Sequence, residues 1–434
     1  MEDGSDARQH QTRGAASVNL LGGLINPPPE PSDSETFFIG VDSVEIPGHQ
    51  DTTYWCVAKR IPQDVLTQQH YIYKYGPSIT PNNTAFVHHI IVYLCGALVN
   101  ISEGASSECT GQTSLDPINE CRRGTAIGGW AVGGEDFLYP SGIGYPIGGP
   151  GAGQFVVIEM HYDNPQLRGG VYDSSGIVFS YTATRPQYIA GTLVIGSPVN
   201  YQLLIPPNAN NYTISAVCSA DCTQKHIPAS GFRVFGNLFH THLAGHGLKL
   251  QHFRMNPECG VLEELPPIDV NLQYDFDYQQ TVHLPAERTV LPGDILLLSC
   301  FYDTATARRT GVTIGGEGTR EEMCFAFLNY YPRVGTDLIA CGSVPNPASY
   351  TRFVTNDIPP GAAQNAVGAV LQRYGQPGLT NDQVASAFNQ IQWTEQLVNN
   401  LENDLLNGNA FTYCFSRDGQ RAIGDGRDPV RPNA

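Results

Sequence analysis

Residues 231–254 read GFRVFGNLFHTHLAGHGLKLQHFR. Two runs within it, GFRVFGNLFHTHL and GLKLQHFR, have the length and the β-branched and aromatic content of strands, parted by a short Ala-Gly-His step. His240 and His242 are separated there by one threonine. Side chains two apart on an extended strand share a face and lie about 7 Å apart along the chain, so this spacing presents two imidazoles toward one point. That is half of a metal site on a β-framework.

The same texture runs outward in both directions. GTLVIG, YTISAVC, DILLLSCFYD and EEMCFAFLNYY follow one another between Pro186 and Pro345, and FFIGVDSVEI, YIYKYGPSIT, FVHHIIVYLCG, QFVVIEMHYD and GIVFSYTA lie between Thr36 and Tyr181. Short strands at this spacing read as a sandwich or barrel. The glycine-rich GGWAVGGEDFLYPSGIGYPIGGPGAG between them reads as loop. The fold class expected is all-β: two consecutive antiparallel, jelly-roll-like β-sandwich domains at residues 36–185 and 186–345. A partly helical extension follows at 346–417, where Val384, Phe388, Ile391, Leu397, Leu401 and Leu405 recur at helical spacing in one stretch and would pack on the core. Residues 1–35, with Pro27, Pro28 and Pro29, read as a disordered lead-in, and 418–434 as a loose tail.

At 434 residues the chain exceeds what one core organises, since domains cluster near roughly 100–150 residues. With 15% charged residues, 46 glycines and 31 prolines, it has too few charged faces and too many turns for a helical bundle. The net charge of -17 gives no support to nucleic-acid binding, which needs a basic face for phosphates. Eleven cysteines without paired CxxC ribbons read as disulfides, and so as an oxidising compartment. Sequons at Asn82, Asn100 and Asn211 fit a secretory route. No signal peptide is visible in MEDGSDARQHQTRGAAS, and no run of roughly 18 apolar residues marks a transmembrane helix. The expectation is a protein of the secretory pathway, in a vesicle lumen or outside the cell, whose leader or upstream domain lies outside this chain.

A third ligand for His240 and His242 is offered by Met323. A methionine beside a cysteine is ordinarily packing, but a thioether is a soft ligand suited to Cu(I), so His, His and Met together point to copper that passes through its reduced state. A second centre is offered by His88 and His89 with His161 of VIEMHYDNP. Neighbours on a regular strand face opposite ways, so His88 and His89 reach one ion only through a bulge, a strand end or different ring nitrogens; otherwise one of them is a core or surface histidine. His246 competes as a ligand. His70, His226, His252 and His283 have no partner in sequence and are expected mostly on the surface or in loops. A zinc hydrolase using three histidines and a copper-binding β-protein without turnover both stay open at this point. With neither a GxSxG elbow nor a phosphate loop, serine-hydrolase and kinase readings drop out.

TTYWCVAKRIP, FVHHIIVYLCG, GGPG, EMHYDNP, DSSGIVFSYTA, CTQ, HTHLAG, LPGDILLLSCFYDT and EEMCFAFLNYYP occur in order from residue 52 to 332. In this series the chain resembles the copper type II, ascorbate-dependent monooxygenases, the family of dopamine β-hydroxylase and the monooxygenase X proteins, with peptidylglycine hydroxylating monooxygenase as a more distant branch. The resemblance implies two β-sandwich domains, each carrying one copper, on either side of a solvent-filled cleft. It assigns the electron-transfer copper to His88, His89 and His161, and the oxygen- and substrate-binding copper to His240, His242 and Met323. Ascorbate would be the electron donor, O2 the co-substrate, and a small aromatic amine such as a phenylethylamine the substrate, hydroxylated at an activated, benzylic-type C–H.

By the same resemblance Cys56 pairs with Cys109, Cys95 with Cys121, Cys218 with Cys341, Cys222 with Cys414, and Cys300 with Cys324. Cys259 is left over, inert or available for an intermolecular bridge. Leu238 stands where the peptidylglycine branch carries an arginine for its peptide carboxylate, which disfavours peptide amidation. An aromatic is kept four residues after the methionine as Phe327, without a hydroxyl. His246 stands where relatives have another residue.

Overall fold

Apolar residues alternating along short strands generate four principal sheets. The protein is described by a computed structural model covering residues 28–109, 116–122, 124–333, 338–416 and 421–423. Positions 1–27 of the expected lead-in, and all of the expected tail except 421–423, lie outside the described residues.

In the first half, a six-stranded sheet runs Glu35–Gly40, Gly176–Thr182, Gln69–Ser78, Ile143–Gly148 and Tyr188–Ile189 in that order, with Phe137–Leu138 beside Gln69–Ser78. A five-stranded sheet runs Ser106–Glu108, Thr52–Arg60, Phe155–Asp163, Val87–Leu94 and Thr125–Ala131. One core draws on both, with Ile39, Tyr75 and Phe179 from the first and Val57, Ile90 and Ile158 from the second. The second half repeats the plan. A seven-stranded sheet runs Val282–Val290, Phe232–His240, Phe325–Tyr331, Gly191–Gly196, Leu338–Pro345, Ala410–Ser416 and Arg421–Ile423. A four-stranded sheet runs Tyr212–Cys218, Ile295–Tyr302, Gly245–Met255 and Leu262–Asn271. Pairing is antiparallel except between Tyr188–Ile189 and Ile143–Gly148 and between Gly191–Gly196 and Leu338–Pro345. Leu193, Val234 and Leu328 meet Ile214, Leu250 and Leu298 in its core, each fully buried aliphatic side chain contributing roughly 1.5–3 kcal/mol. The fold is all-β with a helical extension, and its five disulfides join the pairs that the resemblance implies.

Four readings need correction. The glycine-rich segment holds the strands Thr125–Ala131, Phe137–Leu138 and Ile143–Gly148, because only some of its glycines, such as Gly133 and Gly142 at positive φ, make turns while others serve close approach: a Cβ on Gly128 would lie 2.7 Å from the Phe179 ring. The single helical stretch is two helices, Asn381–Phe388 and Glu395–Asn407, since the Thr394 side chain accepts from the Leu397 N–H and starts a new helix. These pack with Pro347–Asn356 and Ala362–Leu371 around their own core of Tyr350, Phe353, Phe388 and Leu401. Residues 28–35 are held rather than loose: Asp33 accepts from Thr182 Oγ1 at 2.6 Å and from the Thr184 N–H at 3.1 Å. His70, His226 and His252 are buried, not superficial. His70 Nδ1 meets the Val65 carbonyl at 2.9 Å, and His252 Nε2 meets Asp294 at 2.7 Å, so each ring has a polar partner inside.

Candidate metal centres

The first three histidines come together on two central, adjacent strands. His161 of Phe155–Asp163 lies opposite His89 of Val87–Leu94, and the register then shifts so that Tyr162 faces Val87. His88 is therefore the extra residue of a β-bulge. The bulge turns it toward its neighbour's side, which a regular strand forbids. His89 Nδ1 lies 3.2 Å from His88 Nδ1 and 3.2 Å from His161 Nδ1. Two nitrogens each bound about 2.0–2.1 Å from one ion at a roughly tetrahedral angle would stand about 3.3 Å apart. All three rings are buried, and Tyr54 stacks on His161 with centroids 4.3 Å apart. Burial first, then the neighbouring imidazoles, hold His89 and His161 well below the usual histidine value. These two rings are thus neutral near pH 7.

The second pair sits where Phe232–His240 runs out into the turn 241–244. The rings of His240 and His242 are nearly perpendicular, with centroids 5.1 Å apart. His240 Nδ1 is engaged by Gln279 Oε1, and His242 Nδ1 donates to the Glu321 carbonyl at 3.1 Å. With Nδ1 carrying the proton, each Nε2 keeps its lone pair for a metal; that of His242 is buried without a hydrogen-bond partner. Burial is the main cause that brings His240 down to about 4 and His242 to about 3.

Met323 arrives from the adjacent strand. The last register pair between Phe232–His240 and Phe325–Tyr331 is His240 with Phe325, so two residues further on His242 and Met323 leave the same end of the ladder. Glu322 fixes this junction. Its buried carboxyl accepts from the N–H groups of Ala244 at 2.7 Å, His242 at 2.8 Å and Met323 at 3.4 Å. Burial raises it to about 8 although those donors pull the other way.

The resemblance predicts a solvent-filled cleft between the centres, whereas this structure has them in contact: the His89 and His240 rings are 6.0 Å apart. The segment 272–281 closes the gap. Phe276 stacks on His88 at 4.2 Å and meets His242 at 5.9 Å, and Asp277 Oδ1 stands 3.5 Å from His88 Nε2. His246 takes no part in either set; it is the extra residue of a bulge between Gly245 and Gly247, 6.5 Å from the Phe301 ring. Gln279, Glu322, Phe276 and Tyr54 escape sequence reasoning, because nothing in a lone Gln or Phe marks its distant partner. Both histidine sets fit a metal by donor chemistry: the first brings three buried Nδ1 atoms together, and in the second hydrogen bonds at Nδ1 leave Nε2 free, that of His242 buried without a partner.

Residues 37–169 match the N-terminal domain, and residues 188–354 the C-terminal domain, of the copper type II ascorbate-dependent monooxygenases. The chain belongs to this family. It is 35% identical to DBH-like monooxygenase protein 1 of Gallus gallus over 79% of this chain and 54% of that protein. It is 37% identical to the Homo sapiens protein of that name over 72% of this chain and 49% of that one. Dopamine beta-hydroxylase of Bos taurus is 35% identical over 78% of this chain and 53% of that protein. The chain spans about half the length of these curated relatives. The family's metal is copper and its reductant ascorbate.

Proposed function

We propose that the protein is a copper- and ascorbate-dependent monooxygenase that hydroxylates an activated C–H bond of a small aromatic amine with O2. His88, His89 and His161 would hold one copper, and His240, His242 and Met323 the second. Copper supplies one-electron redox chemistry and oxygen activation when bound; overall, two electrons and two protons leave one oxygen atom on carbon and the other in water. The chain's own part is positional. Gln279 and the Glu321 carbonyl keep His240 and His242 with Nε2 forward, Glu322 holds the turn, and Phe276 and Tyr54 keep water from the rings.

The observation that carries this reading is the convergence of two donor sets at strand ends, one of three imidazoles and one of two, with Met323 two residues before the register partner of His240. A small apolar pocket lies along the strands that carry both sets. It is lined by Ile91, two residues past His89, and Leu238, two residues before His240, with Tyr139, Phe327 and Asn329. Its volume is about 60 Å³, less than an aromatic ring needs, so a substrate ring would enter only as the pocket widens; two residues of strand are about 7 Å, which would bring that ring within reach of the ligand ends. Leu238 and Phe327 suit an aromatic ring better than a peptide carboxylate. No acidic side chain lines this pocket among the described residues, which favours a second reading in which the substrate is an uncharged aromatic.

Copper-loaded protein, reduced with ascorbate, is expected to take up oxygen with a phenylethylamine-type substrate and bind two coppers per chain. Zinc at either site after purification, or no uptake with amines and neutral aromatics alike, would replace this reading by a zinc hydrolase or a non-catalytic copper protein. Five disulfides, and exposed Asn82, Asn100 and Asn211, support a vesicle-lumen or extracellular setting. Exposed Cys259 is free to bridge two copies.

A further inference from the structure

Glu321, whose carbonyl holds His242, also lines a cavity of about 350 Å³, within the roughly 300–1,000 Å³ of small-ligand sites. Arg308, Arg309 and Arg320 line it from one side, and Asn381 and Asp382, in the first turn of the helix Asn381–Phe388, from the other. In a chain with 41 acidic and 24 basic side chains, an arginine ordinarily finds a carboxylate. Among the described residues none of these three forms a salt bridge or a side-chain hydrogen bond.

Arg309 is the informative one. Its Nε and Nη2 are buried and have no hydrogen-bond partner. These two nitrogens are one edge of the guanidinium fork, the edge that engages two oxygens of a planar anion side by side. Burial lowers its pKa from the usual guanidinium value, with Arg320 adding to the effect and Glu322 opposing it. A buried, unmatched donor pair carries a desolvation cost that an incoming anion would remove. Three arginines against Glu321 and Asp382 leave the lining one positive charge in excess with both acids ionised.

We propose that this cavity is a binding site for a small oxyanion, two of whose oxygens sit side by side on the Nε/Nη2 edge of Arg309. Two sources share that chemistry: the ascorbate anion, which the family consumes, and a general small oxyanion such as inorganic phosphate. The site itself rests on the arginines; only ascorbate as its occupant rests on the proposed activity. Such an anion would lie beside the segment that continues through Glu321 and Glu322 to Met323.

The test is anaerobic calorimetric titration of the metal-free, disulfide-intact protein with sodium ascorbate and, separately, with inorganic phosphate. Saturable binding is expected, weakened roughly tenfold or more by Arg309→Gln. Arg320→Gln, at an exposed position that folding tolerates, is expected to weaken it several-fold, and Asp382→Asn to tighten it. Ascorbate binding far tighter than phosphate identifies the reductant; equal binding identifies a general oxyanion site, and either upholds the proposal. Failure of both anions to saturate the unsubstituted protein, or unchanged affinity in both arginine variants, overturns it. Metal-free protein does not turn over, so a failed hydroxylation assay leaves this readout untouched.

Discussion

Glu322 holds three backbone N–H groups at the turn that presents His242 and Met323, and no water-exposed alternative is open to them. Replacing it with glutamine points an NH2 group at donors that need acceptors. Glu322→Gln is expected to lower copper bound per chain from two toward one while the three-histidine centre loads normally, as metal analysis would measure. Met323→Ile keeps an apolar side chain and removes the sulfur, so hydroxylation should vanish with the fold and the first centre intact; retained turnover would remove Met323 from the ligand set. His240 and His242 are legible from sequence because strand geometry acts over two residues. Gln279 and Glu322 are not, because they lie 39 and 80 residues from the histidines they serve. A third residue-scale prediction concerns Asp294, bound by His252 and by Arg254 through both carboxylate oxygens at 2.7 Å. Burial acts to raise its pKa, but the Arg254, His252 and Leu291 donors outweigh it and the value is lowered. A carboxylate depressed in the folded state stabilises fully above its unfolded value, near pH ~4, and loses that contribution as pH falls through the folded value. Asp294→Asn should therefore cost about 3 kcal/mol at pH 7, the low end for a buried pair because Arg254 is a third exposed, and progressively less below pH ~4 in urea unfolding.

At the scale of elements, strand existence is read well and boundaries less so. Thr52–Arg60, Leu338–Pro345 and Ala410–Ser416 escape the strand reading, and so do two strands whose composition argues against them. Leu262–Asn271 contains Pro266 and Pro267, and Val282–Val290 contains Pro285, yet each is an edge strand and its prolines fall in a break of the register, where a missing N–H costs no ladder bond. Glycine misled in the other direction, since Gly128 sits within a strand under the Phe179 ring. Two bulges, at His88 and His246, are invisible in the sequence because register depends on the partner strand, and the first of them lets adjacent histidines share one centre. Helix starts are more local. Thr380 and Gln383 form a reciprocal capping box, and Thr394 caps the helix Glu395–Asn407. Thr394→Ala should cost about 1 kcal/mol, seen as a lower denaturant midpoint with an unchanged slope.

Across the whole molecule, contacts between the two sets of sheets set the distance between the donor sets. Phe235 and Tyr331, from the seven-stranded sheet, belong to the first half's core, so the two halves share apolar surface as well as ring contacts at the centres. Arg122 ties them by charge. Its guanidinium donates to Glu159 at 2.6 Å, two residues before His161, and reaches Glu317 at 3.3 Å, six residues before Met323. Removing the arginine would strand the buried Glu159 carboxylate and cost about 3–5 kcal/mol, which obscures any effect on closure. Glu317→Gln leaves the Arg122–Glu159 pair in place and weakens the arm that crosses between halves. Its stability should stay close to the unsubstituted protein, while solution scattering should register a larger radius of gyration and spin labels on the two halves a longer mean separation. If both distances stay unchanged, apolar packing at Phe235, Tyr331 and Phe276 holds the halves together, and the Arg122–Glu317 contact follows closure rather than maintaining it.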